Sequence, residues 1–257
     1  KGIYDIDAFE ASLAGRIPDN TLLSHDLFEG VFARAGLASD VEVVEEFPSR
    51  YDVVAKRQHR WMRGDWQLLP WIFGEAAGRR GLTRVGRGKM LDNLRRSTAG
   101  PLTLLALVLC WLFPMPAALI GTMLVIATLA VPAFLPILFS LLPGRPDIRI
   151  RSHLARLRAD VRLAAAQTLL SLVFLADQVW RAGDAAIRTL LRLLVTRRHL
   201  LEWTTAAKSS AAPRLDLLGF YRQMASGTVL ALVLTMGALA LATSSWPLIL
   251  PFALLWL

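Results

Sequence analysis

Two stretches of the chain carry no charged side chain, Ser97 to Gly144 and Gln223 to Leu257. A helix needs roughly 20 apolar residues to cross the hydrocarbon core of a bilayer. The first stretch therefore has room for two spans, predicted at about 98–113 and 117–142 around the turn "PMP". The second has room for one, predicted at about 225–243, which "SSWP" separates from the start of a fourth. Pro132 and Pro136 predict kinks in the second span, tolerated where neighbouring helices satisfy the freed backbone groups.

Outside these runs the pattern changes period. Leu27, Phe28, Val31 and Phe32 recur at helical spacing, with Ser24 as candidate N-cap, Asp26 in the first turn and Gly36 closing the element. Val41, Val43, Glu45 and Phe47 then alternate and stop at Pro48, which predicts a strand. Helical character returns over 51–73, where Trp61, Trp66, Leu68, Leu69, Trp71, Ile72 and Phe73 form an aromatic-rich face suited to a membrane interface. The run "LAAAQTLLSLVFLA" is too short to span and reads as a buried or interfacial helix. In "AIRTLLRLLVTRRHLLEW" Arg188 and Arg192 share a face opposite leucines, the signature of a basic helix lying on anionic lipid. Five segments result: 1–75, 76–97 (a basic connector), 98–143 (a membrane hairpin), 144–224 (a cytoplasmic basic helical segment) and 225–257 (a span and the start of another).

Composition sharpens this. A hydrophobic content of 54% is too high for an ordinary soluble domain, yet 29 Lys and Arg face only 20 Asp and Glu. Acidic residues dominate before residue 75 and basic ones in the two segments flanking the first apolar stretch, so that hairpin should loop out and return to the cytoplasm. A pI near 10.7 would also suit nucleic acid. These arginines flank apolar runs without any nucleic-acid motif, so the expected partner is membrane lipid and not nucleic acid. The single cysteine, Cys110, excludes a disulfide within the chain. "KGIYDIDAFE" has no leader-like apolar core and "PFALLWL" stops inside an apolar run, so the chain reads as a piece of a longer protein.

Two places carry candidate chemistry. Asp26 fits either a helix-start aspartate favoured by the macrodipole or a general base facing a cleft, and local sequence leaves both open. His25 beside it has no metal-ligand spacing with another His or Cys. In "RQHRWMRGDWQ", residues 57–67, Arg57, Arg60 or Trp61, and Gly64 fall on one side of a helix. Arginines so placed suit phosphate oxygens, and a tryptophan beside them offers a flat face for a sugar ring. The same residues also suit an interfacial helix with snorkelling arginines.

The order of these elements narrows the choice. "SHD", then "EEFPS", then "RQHRWMRG", then spans resembles the processive, membrane-embedded family 2-type glycosyltransferases, which include cellulose and hyaluronan synthases. Arg57 stands where their commonest form has Gln, and His25 where many have an acidic residue. The strings "GIYDIDAFEASLAGRIPDNTLLSHDLFEG", "FPSRYDVVAKRQHRWMRGDWQLLPWIFG" and "RRHLLEWTTAA" are more particularly similar to the bacterial cyclic β-1,2-glucan synthases, glycosyltransferase family 84.

That resemblance implies an α/β fold over 1–75, the C-terminal half of a GT-A-like transferase domain, followed by an α-helical transmembrane region. It implies inverting glucosyl transfer from UDP-glucose to a growing β-glucan at the cytoplasmic face of the bacterial inner membrane, in a multi-pass protein. Asp26 would be the base. Arg57, Gln58 and Arg60 would bind the diphosphate, and Trp61 would stack on the acceptor, with Arg63, Asp65 and Trp66 in support. A divalent cation, Mg or Mn, is implied with ligands upstream of this chain. Asp5 and Asp7 form a D-x-D string, but one standing too close before the base element to match the family's metal site. The chain alone is therefore expected to be inactive. The other readings are a different processive β-glycan synthase, or a non-catalytic membrane anchor.

Overall fold

The computed structural model describes residues 5–15, 22–23, 26–34, 36, 38–44, 47–74, 82–141, 149–205, 208, 211, 213 and 215–257. Helices account for nearly all regular structure: α1 Ile6–Leu13, α2 Asp26–Phe32, α3 Tyr51–Gln67, α4 Leu69–Phe73, α5 Arg84–Trp111, α6 Met115–Phe139, α7 Ile150–Val173, α8 Leu175–Leu191, α9 Leu217–Leu241 and α10 Trp246–Trp256. Packing divides the chain into two units, Lys1–Ala99 with Arg181–Arg222, and Gly100–Trp180 with Gln223–Leu257.

Several helix starts follow from local chemistry. Asp5 caps α1 by accepting a 2.8 Å hydrogen bond from the Ala8 amide. Thr83 Oγ1 does the same for the Gly86 amide at the start of α5, and Asp216 Oδ1 for the Gly219 amide at the start of α9. At the start of α3, Arg50 grips the buried Asp52 with two contacts of 3.1 and 2.8 Å.

In the first unit the core is an apolar cluster of Phe28, Phe32, Leu68, Trp71, Ile72 and Met90. Phe28 meets Trp71 edge-on, with ring centroids 4.5 Å apart. Three residues of the face expected at a membrane interface over 61–73, Leu68, Trp71 and Ile72, lie in this core. The chain turns at Leu68 and carries Leu68, Trp71 and Ile72 into the core, because α2 presents an apolar stripe for them to cover, while Phe73 stays largely exposed.

The predicted strand is corrected. Residues 41–44 and 47–48 are not extended in a sheet, and the described residues contain no strand. An alternating segment needs a neighbour to complete its backbone hydrogen bonds, and none of the described residues provides one. Glu45 lies outside the described residues.

The second unit buries Leu104, Leu107 and Trp111 of α5 with Leu175, Ala176, Ala231, Ala238, Ile249, Phe252 and Trp256. Trp111, Phe252 and Trp256 stack pairwise at 5.3 to 6.3 Å. Along α9 the buried face is Gly227, Ala231, Thr235 and Ala238, small residues that let helices approach closely. The Trp256 indole donates 2.7 Å to the Leu172 carbonyl, and Ser245 Oγ donates to the Phe113 carbonyl. Large apolar side chains such as Ile120, Leu124, Val233 and Met236 stay outside, each more than half exposed. Helices α6 and α9 are long and apolar enough to cross a membrane. Helices α7 and α8 meet at a 56° bend after Val173, and counted with the turn to Thr196 they make a third, broken span possible by length and composition.

Two boundaries differ from expectation. The helix of the first predicted span starts at Arg84, where Asp92 pairs with Arg95 and Arg96 one turn on. Its apolar part, Ser97–Trp111, falls short of roughly 20 residues. The basic helix expected through 186–203 instead ends in a π turn, Arg192–Thr196, and Arg197 enters the left-handed region at φ 50°.

Candidate functional site

Helix α3 carries most of the candidate site residues. Its spacing puts Arg57 and Trp61 one turn apart, and the Arg57 guanidinium lies over the Trp61 ring, 4.5 Å from the centroid, with Phe47 at 5.7 Å on another approach. Arg60, three residues on, lies over the ring of Trp203 at 4.5 Å. Arginine stacked in this way keeps its N–H edge available for oxyanions while one face is shielded from water. Gln58 is on the same helix and half-buried.

Asp26 opens α2 and is exposed. Its neighbours Phe28 and Phe32 root that helix in the first unit's core against Trp71, which follows directly on α3. The helix that carries Asp26 is thus packed against α4, the short helix that follows the one carrying Arg60 and Trp61. Ser24 and His25 lie outside the described residues.

The structure gives Arg63, expected only in support, a definite set of partners, and adds Gln67 and Arg192, which were not expected at the site. Arg63, 6% exposed, donates to three carbonyls of a single loop: Glu202 at 2.7 Å, Leu200 at 3.3 Å and His199 at 3.5 Å. Gln67, 2% exposed, donates from Nε2 to the Leu200 carbonyl at 3.0 Å and accepts through Oε1 from the Leu23 amide at 2.7 Å. Arg192 completes the loop's support, donating to the His199 carbonyl and the Glu202 carboxylate, both at 2.7 Å. That loop contains two non-glycine residues at positive φ, Arg197 and His199, conformations that cost on the order of 1–3 kcal/mol each and persist where the surroundings impose them. No local signal predicts the links of Arg63 and Gln67 to the loop, which join positions more than 130 residues apart.

Electrostatics follow burial. His59 Nε2 and Asp184 Oδ2 are 2.8 Å apart, and Arg188 holds the other oxygen of Asp184. Burial nevertheless lowers the His59 pKa, outweighing the Asp184 carboxylate. Burial likewise pushes the Asp65 carboxyl up to about 7, against the opposing pull of Arg96 and a hydrogen bond from Asn93. Arg192 holds the exposed Glu202 carboxyl below its ordinary value. An open groove of about 620 Å³ is lined by Leu27, Val85, Gly88, Lys89, Asp92, Asn93 and Arg96.

Among the described residues no three His, Cys, Asp or Glu side chains come together as metal ligands. Asp5 is engaged as the cap of α1.

No protein-family model matches the chain. Over 258 aligned positions, covering 100% of the chain, it is 45% identical to the cyclic beta-(1,2)-glucan synthase NdvB of Rhizobium meliloti (strain 1021). The chain spans 9% of that protein's length. The likeness read from the strings at 1–75 and 196–207 therefore extends through the long apolar helices as well.

Proposed function

We propose that the chain is the acceptor-side part of a membrane-embedded β-1,2-glucan synthase, the C-terminal portion of a GT-A-like transferase domain together with its following spans. The supporting observation is 45% identity along the whole chain to a cyclic beta-(1,2)-glucan synthase. The donor is UDP-glucose and the acceptor the end of a growing glucan. Asp26 takes the proton from the acceptor 2-hydroxyl as its oxygen forms a bond to the donor's anomeric carbon. That bond forms as the bond to UDP breaks, and the configuration inverts. UDP leaves carrying the charge, which Arg60 stabilises with Arg57 and Gln58. Trp61 stacks on the acceptor sugar and fixes its approach.

In this reading the spans anchor the site at the cytoplasmic face of the inner membrane, and the cation ligands lie upstream. The stacking of Arg57 on Trp61 and of Arg60 on Trp203 suits the assignment, because it holds both guanidinium planes rigid before the leaving group arrives. The test is full-length protein in membranes with labelled UDP-glucose. Asp26→Asn should lower the transfer rate by about 10²-fold or more at unchanged protein level. Glucan made at the wild-type rate by that variant would overturn the assignment of the base.

A further inference from the structure

Gln67 and Arg63 sit one turn apart on the buried face of α3, past the arginines proposed to meet the diphosphate. Neither touches Arg60 through a described hydrogen bond. What they touch are two segments entering the site region from opposite ends of the sequence. The Gln67 amide accepts from Leu23, three residues before Asp26, and donates to Leu200, three residues before Trp203. Arg63 fastens the same second segment at Glu202 and Leu200. Trp203, the next residue, is 49% exposed and has the Arg60 guanidinium 4.5 Å from its ring centre.

We propose that Arg63 and Gln67 are positioning residues for glucosyl transfer, with Trp203 as the plate against which Arg60 is held. This rests on the reading of Arg60 as a diphosphate ligand. A guanidinium has two faces and a rim of donors. Covering one face with Trp203 restricts the rim to the orientations that reach an oxyanion. The plate is held by its loop, and the loop is held by backbone carbonyls that accept from Arg63, Gln67 and Arg192. Most of these acceptors are backbone carbonyls, and the Glu202 carboxylate adds one side-chain contact to Arg192. Because one amide of Gln67 serves both segments, displacing it shifts the entry to Asp26 and the entry to Trp203 together. A buried amide bonded at both ends and a buried guanidinium aimed at one loop are more than the stability of an exposed loop requires.

The experiment uses the full-length protein in membranes, comparing UDP-glucose KM and kcat and membrane protein level across Arg60→Ala, Trp203→Ala, Trp203→Phe, Arg63→Met and Gln67→Met. Trp203→Ala and Arg63→Met should raise KM about tenfold, a scale set by small displacements of a reacting geometry. Trp203→Phe, which keeps an aromatic plate, should return KM to within about threefold of wild type. Gln67→Met should lower kcat as well as raise KM, since it also serves the Asp26 segment. Lower protein level with unchanged KM in Trp203→Ala and Arg63→Met would overturn the proposal and leave these residues as structural only. Trp203 is exposed, so its variants remain informative if Arg63→Met does not accumulate. Should Arg60→Ala itself leave both KM and kcat unchanged, the diphosphate reading fails first; a lowered kcat/KM in Arg60→Ala with wild-type kinetics in the others rejects the positioning role alone.

Discussion

The two packed units solve the same problem with opposite materials. In the first, polar side chains are taken inside and given partners: Asp52 with Arg50, Gln67 with two backbone groups, and Arg63 with the carbonyls of one loop. In the second, the buried face of α9 is lined with small residues, its Thr235 hydroxyl bonds back to its own helix, and large apolar side chains stay outside. The difference is one of solvent. In water, large apolar groups must be buried and a charged group may stay outside. In lipid, outward leucines cost nothing, and close backbone approach with satisfied polar groups is what holds helices together.

Substitutions that exchange these materials should break each unit in its own way. The largest effect is expected in the first unit at Trp71, 5% exposed and packed edge-on against Phe28. Trp71→Ala should destabilise by about 3–5 kcal/mol, read as rapid proteolysis near α2 and α4. Resistance equal to wild type would show that this cluster is not the core of the unit.

In the second unit the sensitive change is an enlargement. A Cβ at Gly227 would stand 2.6 Å from the Asp177 Cα, which as backbone has little room to move. Gly227→Leu should cost about 1–3 kcal/mol, seen as a lower thermal midpoint in detergent, whereas Leu for the exposed Val233 should change little. Equal effects of the two would contradict close approach at Gly227.

A smaller loss is expected at a cap. Asp5→Ala should cost about 1 kcal/mol of α1 stability, and amide exchange at Ala8 should quicken. Unchanged exchange there would remove Asp5 from that role.

The smallest effect is a tilt with pH. The folded-state pKa of Asp65, about 7, lies above the ordinary 3.8. Between those values the folded protein holds a proton that the unfolded chain has lost, so this group's contribution is fully present below about 4 and fades as pH rises towards 7. Asp65→Asn has no such proton to lose. Its thermal midpoint should gain on the wild type between pH 5 and pH 8, and parallel profiles would show that the Asp65 carboxyl titrates normally.

Much of the fold was legible where a single period or a cap sets local structure. The apolar positions from Leu27 to Phe32 predicted α2 and the two members that are now buried, Phe28 and Phe32. Charge-free runs located α6 and α9, with the ends of α6 moved by two or three residues and the start of α9 by eight. The strand at 41–47 was misread, and part of the apolar face at 61–73 is covered by the protein's own core, for one reason. Alternation and amphipathicity state that a face wants covering without stating by what; the strand lacks a partner among the described residues, and α2 covers Leu68 and Trp71 instead of lipid.

The candidate site divides in the same way. The spacing of "RQHRW" put Arg57 beside Trp61 with no further information, because residues four apart on a helix are neighbours. Charge-free length marked the apolar helices, since hydrocarbon thickness sets a count of residues. Those features the sequence determined by itself. Only tertiary structure decided that Trp203 faces Arg60, that Arg63 and Gln67 fasten its loop, and that His59 meets Asp184. Each joins positions far apart in the chain, and a hydrogen bond or stacked ring depends on where packing brings two backbones, which no local period encodes.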